Sequence, residues 1–173
     1  MSFLRTLRKL QEKNRLDELL AALQQENGTG LPMLVKIDPD LSFEQIDDVL
    51  DLIQRHNMAG IIATNTTVQR PGIVTPLHEE PGGLSGQPLR GLANRCIAHI
   101  WQQTRGKLPI VGVGGVFTAE DAYEKIKLGA SLVQLYTGLV YGGPGIAAQI
   151  NRGLLRLMER DGVKQIAEIV GKA

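Results

Sequence analysis

The chain has 173 residues, 43% of them hydrophobic, with 19 Lys and Arg set against 18 Asp and Glu for a formal net charge of +1. Charges of both signs are interspersed, so no basic surface points to nucleic acid, and the apolar runs are only strand-length, so no membrane-spanning helix is expected. A single domain, residues 1–173, fits this length and can bury a real core, whereas a complete (β/α)8 barrel, at about 250 residues, does not fit.

The opening Met1-Ser-Phe-Leu-Arg-Thr-Leu-Arg-Lys9 is basic, but Lys13 and Arg15 follow where a signal peptide needs an apolar core. Residues 3–26 read as an exposed amphipathic helix ended by Asn27-Gly28. Leu31 to Ile37 reads as a strand. Ser42-Phe-Glu-Gln45 is a capping box that opens a helix with Phe43, Ile46, Val49, Leu50 and Ile53 as its core stripe. The second strand, Ala59 to Thr64, leads into a long polar loop from Asn65 to Leu89, in which Arg70 to Glu80 reads as mobile. A helix of roughly 15 residues then runs towards Gly106. It carries Trp101 as core or packing surface, and Cys96, with Leu92 and Ile100 at helical spacing, as a buried thiol. A lone cysteine excludes an internal disulfide and suits a reducing compartment. The third strand is 108–113, and a helix capped by Thr118 runs to Gly129. The fourth strand is 131–136, the last long helix starts near Pro144 as its first residue, and 163–170 forms one further short helix.

Four strands alternating with helices predict a parallel sheet. A continuous apolar strand such as Ser131-Leu-Val-Gln-Leu135 predicts that both faces are covered. Unusual residues collect at the strands' carboxyl ends: Lys36, Thr64-Asn-Thr-Thr67, Gly114-Gly115 and Tyr136-Thr137. In barrels that rim carries the chemistry. Leu108-Pro-Ile-Val-Gly-Val-Gly-Gly115 and Gly129-Ala-Ser-Leu-Val-Gln-Leu-Tyr-Thr-Gly138 each end a strand in a glycine turn, where main-chain N–H groups can approach a phosphate. Each feature has a plainer reading. Lys36 can be a strand-end lysine reaching water, Asn65-Thr-Thr a turn cap, and Gly-Val-Gly-Gly a strand-to-helix turn. Asp38 reads as a surface carboxylate before Pro39. His56, His78 and His99 share no ligand spacing, so no metal site is expected.

Five segments taken together resemble dihydroorotate dehydrogenase: Val35-Lys-Ile-Asp-Pro-Asp-Leu41, Ile62-Ala-Thr-Asn-Thr-Thr67, Gly82-Gly-Leu-Ser-Gly-Gln-Pro-Leu89, Ile110-Val-Gly-Val-Gly-Gly115 and the stretch Gly129 to Gly138. The Gly-Leu-Ser-Gly-Gln-Pro-Leu and Gln-Leu-Tyr-Thr-Gly segments are similar to the quinone-linked class 2. The resemblance runs from about Leu4 to Ile150 and implies an α/β fold, a parallel (β/α) half barrel whose four strands correspond to strands five to eight of a TIM barrel. It implies FMN as cofactor, contacted by Lys36, Thr64, Gly86, Gly115, Tyr136 and Thr137, with Asn65 and Thr66 contacting orotate or dihydroorotate. Lys36 beside the N1–C2 edge would stabilise reduced flavin. The parent reaction oxidises dihydroorotate to orotate, reduces FMN and then quinone, and serves pyrimidine biosynthesis.

The family's catalytic serine lies in an Asn-Ser-Ser-Pro-Asn-Thr-type loop, and here Met1-Ser-Phe stands near that place. No catalytic residue is therefore assigned within this chain, and turnover by the chain alone is not expected. The parent class is peripheral to the inner membrane through an N-terminal module, and the fragment itself is expected in the cytoplasm. A half barrel leaves two strand edges and one face open, so a homodimer or pairing with an N-terminal half is expected. The alternative is a non-catalytic half barrel that binds FMN, another phosphate or only a protein partner.

Overall fold

The computed structural model describes residues 9–70, 72 and 81–173. A 3-10 turn, Lys9–Gln11, precedes helix α1 (Lys13–Glu26). Four βα units follow: β1 (Leu34–Ile37) with α2 (Phe43–Arg55), β2 (Gly60–Ala63) with α3 (Arg90–Thr104), β3 (Ile110–Val113) with α4 (Ala119–Lys127), and β4 (Leu132–Gln134) with α5 (Thr137–Gly142) and α6 (Ile146–Arg160). The strands form one parallel sheet in the order β1-β2-β3-β4, with Lys36 opposite Ile62, Ile62 opposite Val111, and Val111 opposite Leu132. This is the half-barrel order expected from the sequence.

Local signals explain the elements. Ser42 accepts from the Gln45 amide and Gln45 answers from its side chain, closing the box that starts α2. Thr118 and Asp121 do the same for α4. Ile37, Ile61 and Ile110 point from the sheet into one core with Ile46, Leu52, Ile97 and Ile100, all fully buried. Helix α1 closes that core through Leu16 and Leu20, and Asp17 reaches Arg55 at 3.0 Å and the His56 ring at 2.5 Å. The continuous amphipathic helix expected over 3–26 is therefore a 3-10 turn plus α1. Its first residues lie outside the described ones, and its inner face is buried.

Other expectations need correction. Phe43 is 48% exposed; its ring stacks on His99 at 4.2 Å across the outside of α2 and α3. The last long helix starts near Pro144 as expected, but Pro144 is not its first residue: Pro144 and Gly145 form a turn, and α6 begins at Ile146. Asp38 is buried, not a surface carboxylate: its Oδ1 accepts from the Asp40 amide at 3.0 Å, and its own amide donates to Gln11 Oε1 at 2.9 Å. Among the described residues the sheet is covered on one face only. Leu132 is 67% exposed and Leu34 41%, and both point away from the helices. The apolar β4 sequence signalled burial on both sides, but no described element of this chain covers the concave side. Cys96 is buried as expected, and burial pushes its thiol up to about 11.

Behind β3, Lys125 of α4 is fully buried, and its Nζ donates to Asn94 Oδ1 of α3 at 2.6 Å. Burial pulls its pKa down from 10.5 to about 8, against the opposing pull of Glu124 and Asp121. The unfolded chain therefore binds this proton more tightly, so stability is held down below pH 8 and rises as pH climbs through the window up to 10.5. Wild type is expected to gain on the order of 3 kcal/mol over Lys125→Met across that window. Urea unfolding at each pH measures it, and parallel stability curves would count against the assignment.

Candidate functional site

The carboxyl ends of all four strands converge on one cavity of about 180 Å3. Its lining includes Lys36, Thr64, Asn65, Thr66, Gly86, Gly115, Tyr136 and Thr137, the eight residues singled out in the sequence. Lys36 is solvent-exposed on the concave face of β1, one strand from Ile62. Immediately after β2 the chain turns over the rim. The Ala63–Thr64 peptide is cis, the Thr64 amide donates to Val113 O at 3.1 Å, and the Asn65 amide donates to Ile37 O at 2.7 Å. The start of this loop is thus pinned to both neighbouring strands. Thr64 is buried, whereas Thr66 is exposed at the rim.

The glycine turns after β3 and β4 meet side by side. A Cβ on Gly138 would lie 2.3 Å from Val116 O, so the α5 backbone is pressed against the Gly114–Phe117 turn. Gly115 has φ +73°, and a Cβ there would come within 2.5 Å of Arg90 Cβ. Asp121 fixes the far side of this turn by accepting from the Phe117 amide at 2.9 Å and the Thr118 amide at 3.0 Å, and it pairs with Arg90. Burial alone would raise the Asp121 carboxyl, but these amides and the guanidinium outweigh it and hold it below the usual carboxylate range.

The loop before α3 closes the remaining side. Thr67 and Leu84 exchange amide hydrogen bonds at 3.1 and 2.7 Å, and Thr137 Oγ1 donates to Ser85 Oγ at 2.9 Å. Gly86 thereby sits beside Thr137. Tyr136 borders the cavity, although its side chain is 77% exposed. Ser85, Phe117 and Gln134 also line the cavity and were not singled out in the sequence. The signal for Ser85 was a hydroxyl between two turn glycines. Gln134 could have been found from β4 alternation, because it shares the concave side with Leu132. Ser2 and His78, and the stretch 73–80, lie outside the described residues. Among the described residues no three His, Cys, Asp or Glu side chains gather as a metal site, and no helix is long and apolar enough to cross a membrane.

The sequence pattern of the dihydroorotate dehydrogenase family matches residues 4–158. The chain is 50% identical over 175 residues to a dihydroorotate dehydrogenase (quinone) of Trichodesmium erythraeum, covering 96% of this chain and 46% of that protein. It is 51% identical over 168 residues to the corresponding protein of Myxococcus xanthus, covering 95% and 46%. Among solved structures, the Eimeria tenella enzyme crystallised with ferulenol superposes with a TM-score of 0.89 at 32% identity, covering 96% of this chain and 50% of that one. The chain spans about half the length of the relatives it matches.

Proposed function

We propose that this chain, which belongs to the dihydroorotate dehydrogenase family, is the part of such an enzyme that grips FMN at its phosphate and contacts dihydroorotate through Asn65 and Thr66. The observation that carries the reading is the meeting of strand-end groups on one rim: a cation, two amide- or hydroxyl-bearing residues and two abutting glycine turns border the same cavity. The donor set fits FMN. Hydroxyls of Ser85 and Thr137 and the turn at Gly115 suit a phosphate, and Lys36 suits the electron-rich edge of an isoalloxazine ring.

Bound FMN would supply the hydride-accepting ring of the reaction. The ammonium of Lys36 would offset negative charge that develops on that ring, and Asn65 and Thr66 would orient the polar edge of the substrate. The described residues include no assigned base. Quinone as final acceptor, pyrimidine biosynthesis and a cytoplasmic location belong to the same proposal.

Titration of the purified chain with FMN, followed by quenching of flavin fluorescence, tests it. Saturable quenching and a yellow protein after gel filtration are expected. A colourless protein that leaves flavin fluorescence unchanged would overturn the cofactor role. That result would favour the second reading, a protein-interaction half barrel, for which the uncovered Leu132 side of the sheet speaks.

A further inference from the structure

One carboxylate ties together turns that belong to different strands. Asp40 lies just past β1, yet it accepts from the Thr67 hydroxyl, from the Val68 amide at 2.8 Å and from Gln69 Nε2 at 3.1 Å. Thr67 is fully buried, and its main chain pairs with Leu84 in both directions. Arg70 fastens the same two segments, with Nη1 donating to Thr67 O at 3.2 Å and Nη2 to Gly82 O at 2.7 Å. The next residue after Leu84, Ser85, accepts from Thr137. A hydrogen-bonded belt therefore runs along the rim from the β1 turn, through the β2 turn and the 81–86 segment, to the start of α5. Asp38 anchors its first link by accepting from the Asp40 amide.

We propose that Asp40 is a positioning residue of the rim, an inference that rests on the cofactor-site reading above. Its carboxylate sets the turn that presents Asn65 and Thr66 in register with Gly86 and Thr137, although Asp40 does not itself line the cavity. An aspartate suits this role because a short, charged acceptor can take several donors from one turn without a long flexible stem. Thr67, buried and paired at its main chain, passes the constraint to Leu84 and so to the Ser85–Thr137 contact.

Two variants and two measurements test this on the full chain. Amide hydrogen exchange on ligand-free Asp40→Ala should be faster at Thr67, Val68 and Leu84, and at wild-type rates across Gly115–Asp121. FMN affinity should fall on the order of tenfold, the loss of a charge-assisted contact. Asp40→Asn, which keeps one acceptor oxygen, should recover part of both losses. Wild-type exchange at Thr67 and Leu84 in Asp40→Ala would overturn the inference, and so would acceleration spread uniformly over the chain. If wild type takes up no FMN, the cofactor reading fails. The exchange pattern then decides the belt by itself, with Asp40→Asn standing in should Asp40→Ala not fold.

Discussion

Gly115→Ala is expected to abolish flavin uptake and to lower stability by about 2–5 kcal/mol, the sum of left-handed strain and overpacking. The backbone at Gly115 has φ +73°, which a side chain adopts only at a cost. Space is lacking as well. The added Cβ would stand 2.5 Å from Arg90 Cβ, 2.8 Å from Arg90 Cα and 2.9 Å from Arg90 N. Two of those atoms are main chain at the first residue of α3, so no rotamer change relieves the overlap. The turn cannot retreat the other way, because Asp121 holds the amides of Phe117 and Thr118 and Gly138 abuts Val116. Relief would have to displace α3 or part the two glycine turns, and the second outcome opens the end of the cavity proposed to hold the phosphate. Gly91→Ala, one residue inside α3 with nothing within 4 Å of the new methyl, is the control. It is expected to leave flavin uptake intact and to add up to about 1 kcal/mol from helix propensity. Urea unfolding and FMN titration of the pair decide the matter. A Gly115→Ala protein with wild-type stability and colour would remove the turn from the site.

What could be read from the sequence, and what could not, divides along the range of the interactions. The capping box at Ser42, the Thr118 cap, the strand alternation with helices and the rim motifs are local patterns, and each is where it was expected. Lys36, Thr64 and Thr137 meet because parallel βα units place every carboxyl end on one side, a rule that needs no coordinates. The contacts of Asp40 with the β2 turn and the pairing of Arg90 with Asp121 span 27 to 31 residues, and no spacing rule announces them. Asp38 was misread for the same reason. An aspartate before proline is ordinarily a solvated turn residue, but here Asp38 is buried and Gln11, from ahead of α1, accepts from its amide. Phe43 failed in the opposite sense. Its place in the helical stripe was right, but the stripe is wider than the core, and His99 receives its ring on the outer surface. The exposure of Leu132 was invisible because residue alternation reports what a strand is suited to pack against, whether or not the packing element lies in the same chain.

Supplying the other half of the barrel is expected to convert this chain from no detectable turnover to dihydroorotate-dependent reduction of a quinone-type dye. A closed barrel satisfies both edges of a sheet, whereas among the described residues β1 and β4 each pair on one side only. On β4 and in the turn and helix that follow it, Leu132 is 67% exposed, Tyr136 77% and Val140 67%, apolar surface suited to a partner. The partner to supply is a polypeptide made from the part of the Trichodesmium relative that this chain does not match. Mixing the two should give a one-to-one complex that retains FMN through gel filtration and reduces the dye. Without that partner, a second copy of the chain is the expected cover, because a symmetric dimer hides edge and face together, and light scattering at low concentration should return the dimer mass. A monomer that stays monomeric, colourless and inactive after mixing would mean that this concave surface is satisfied in some other way, and the half-barrel account of its exposed leucines would have to be abandoned.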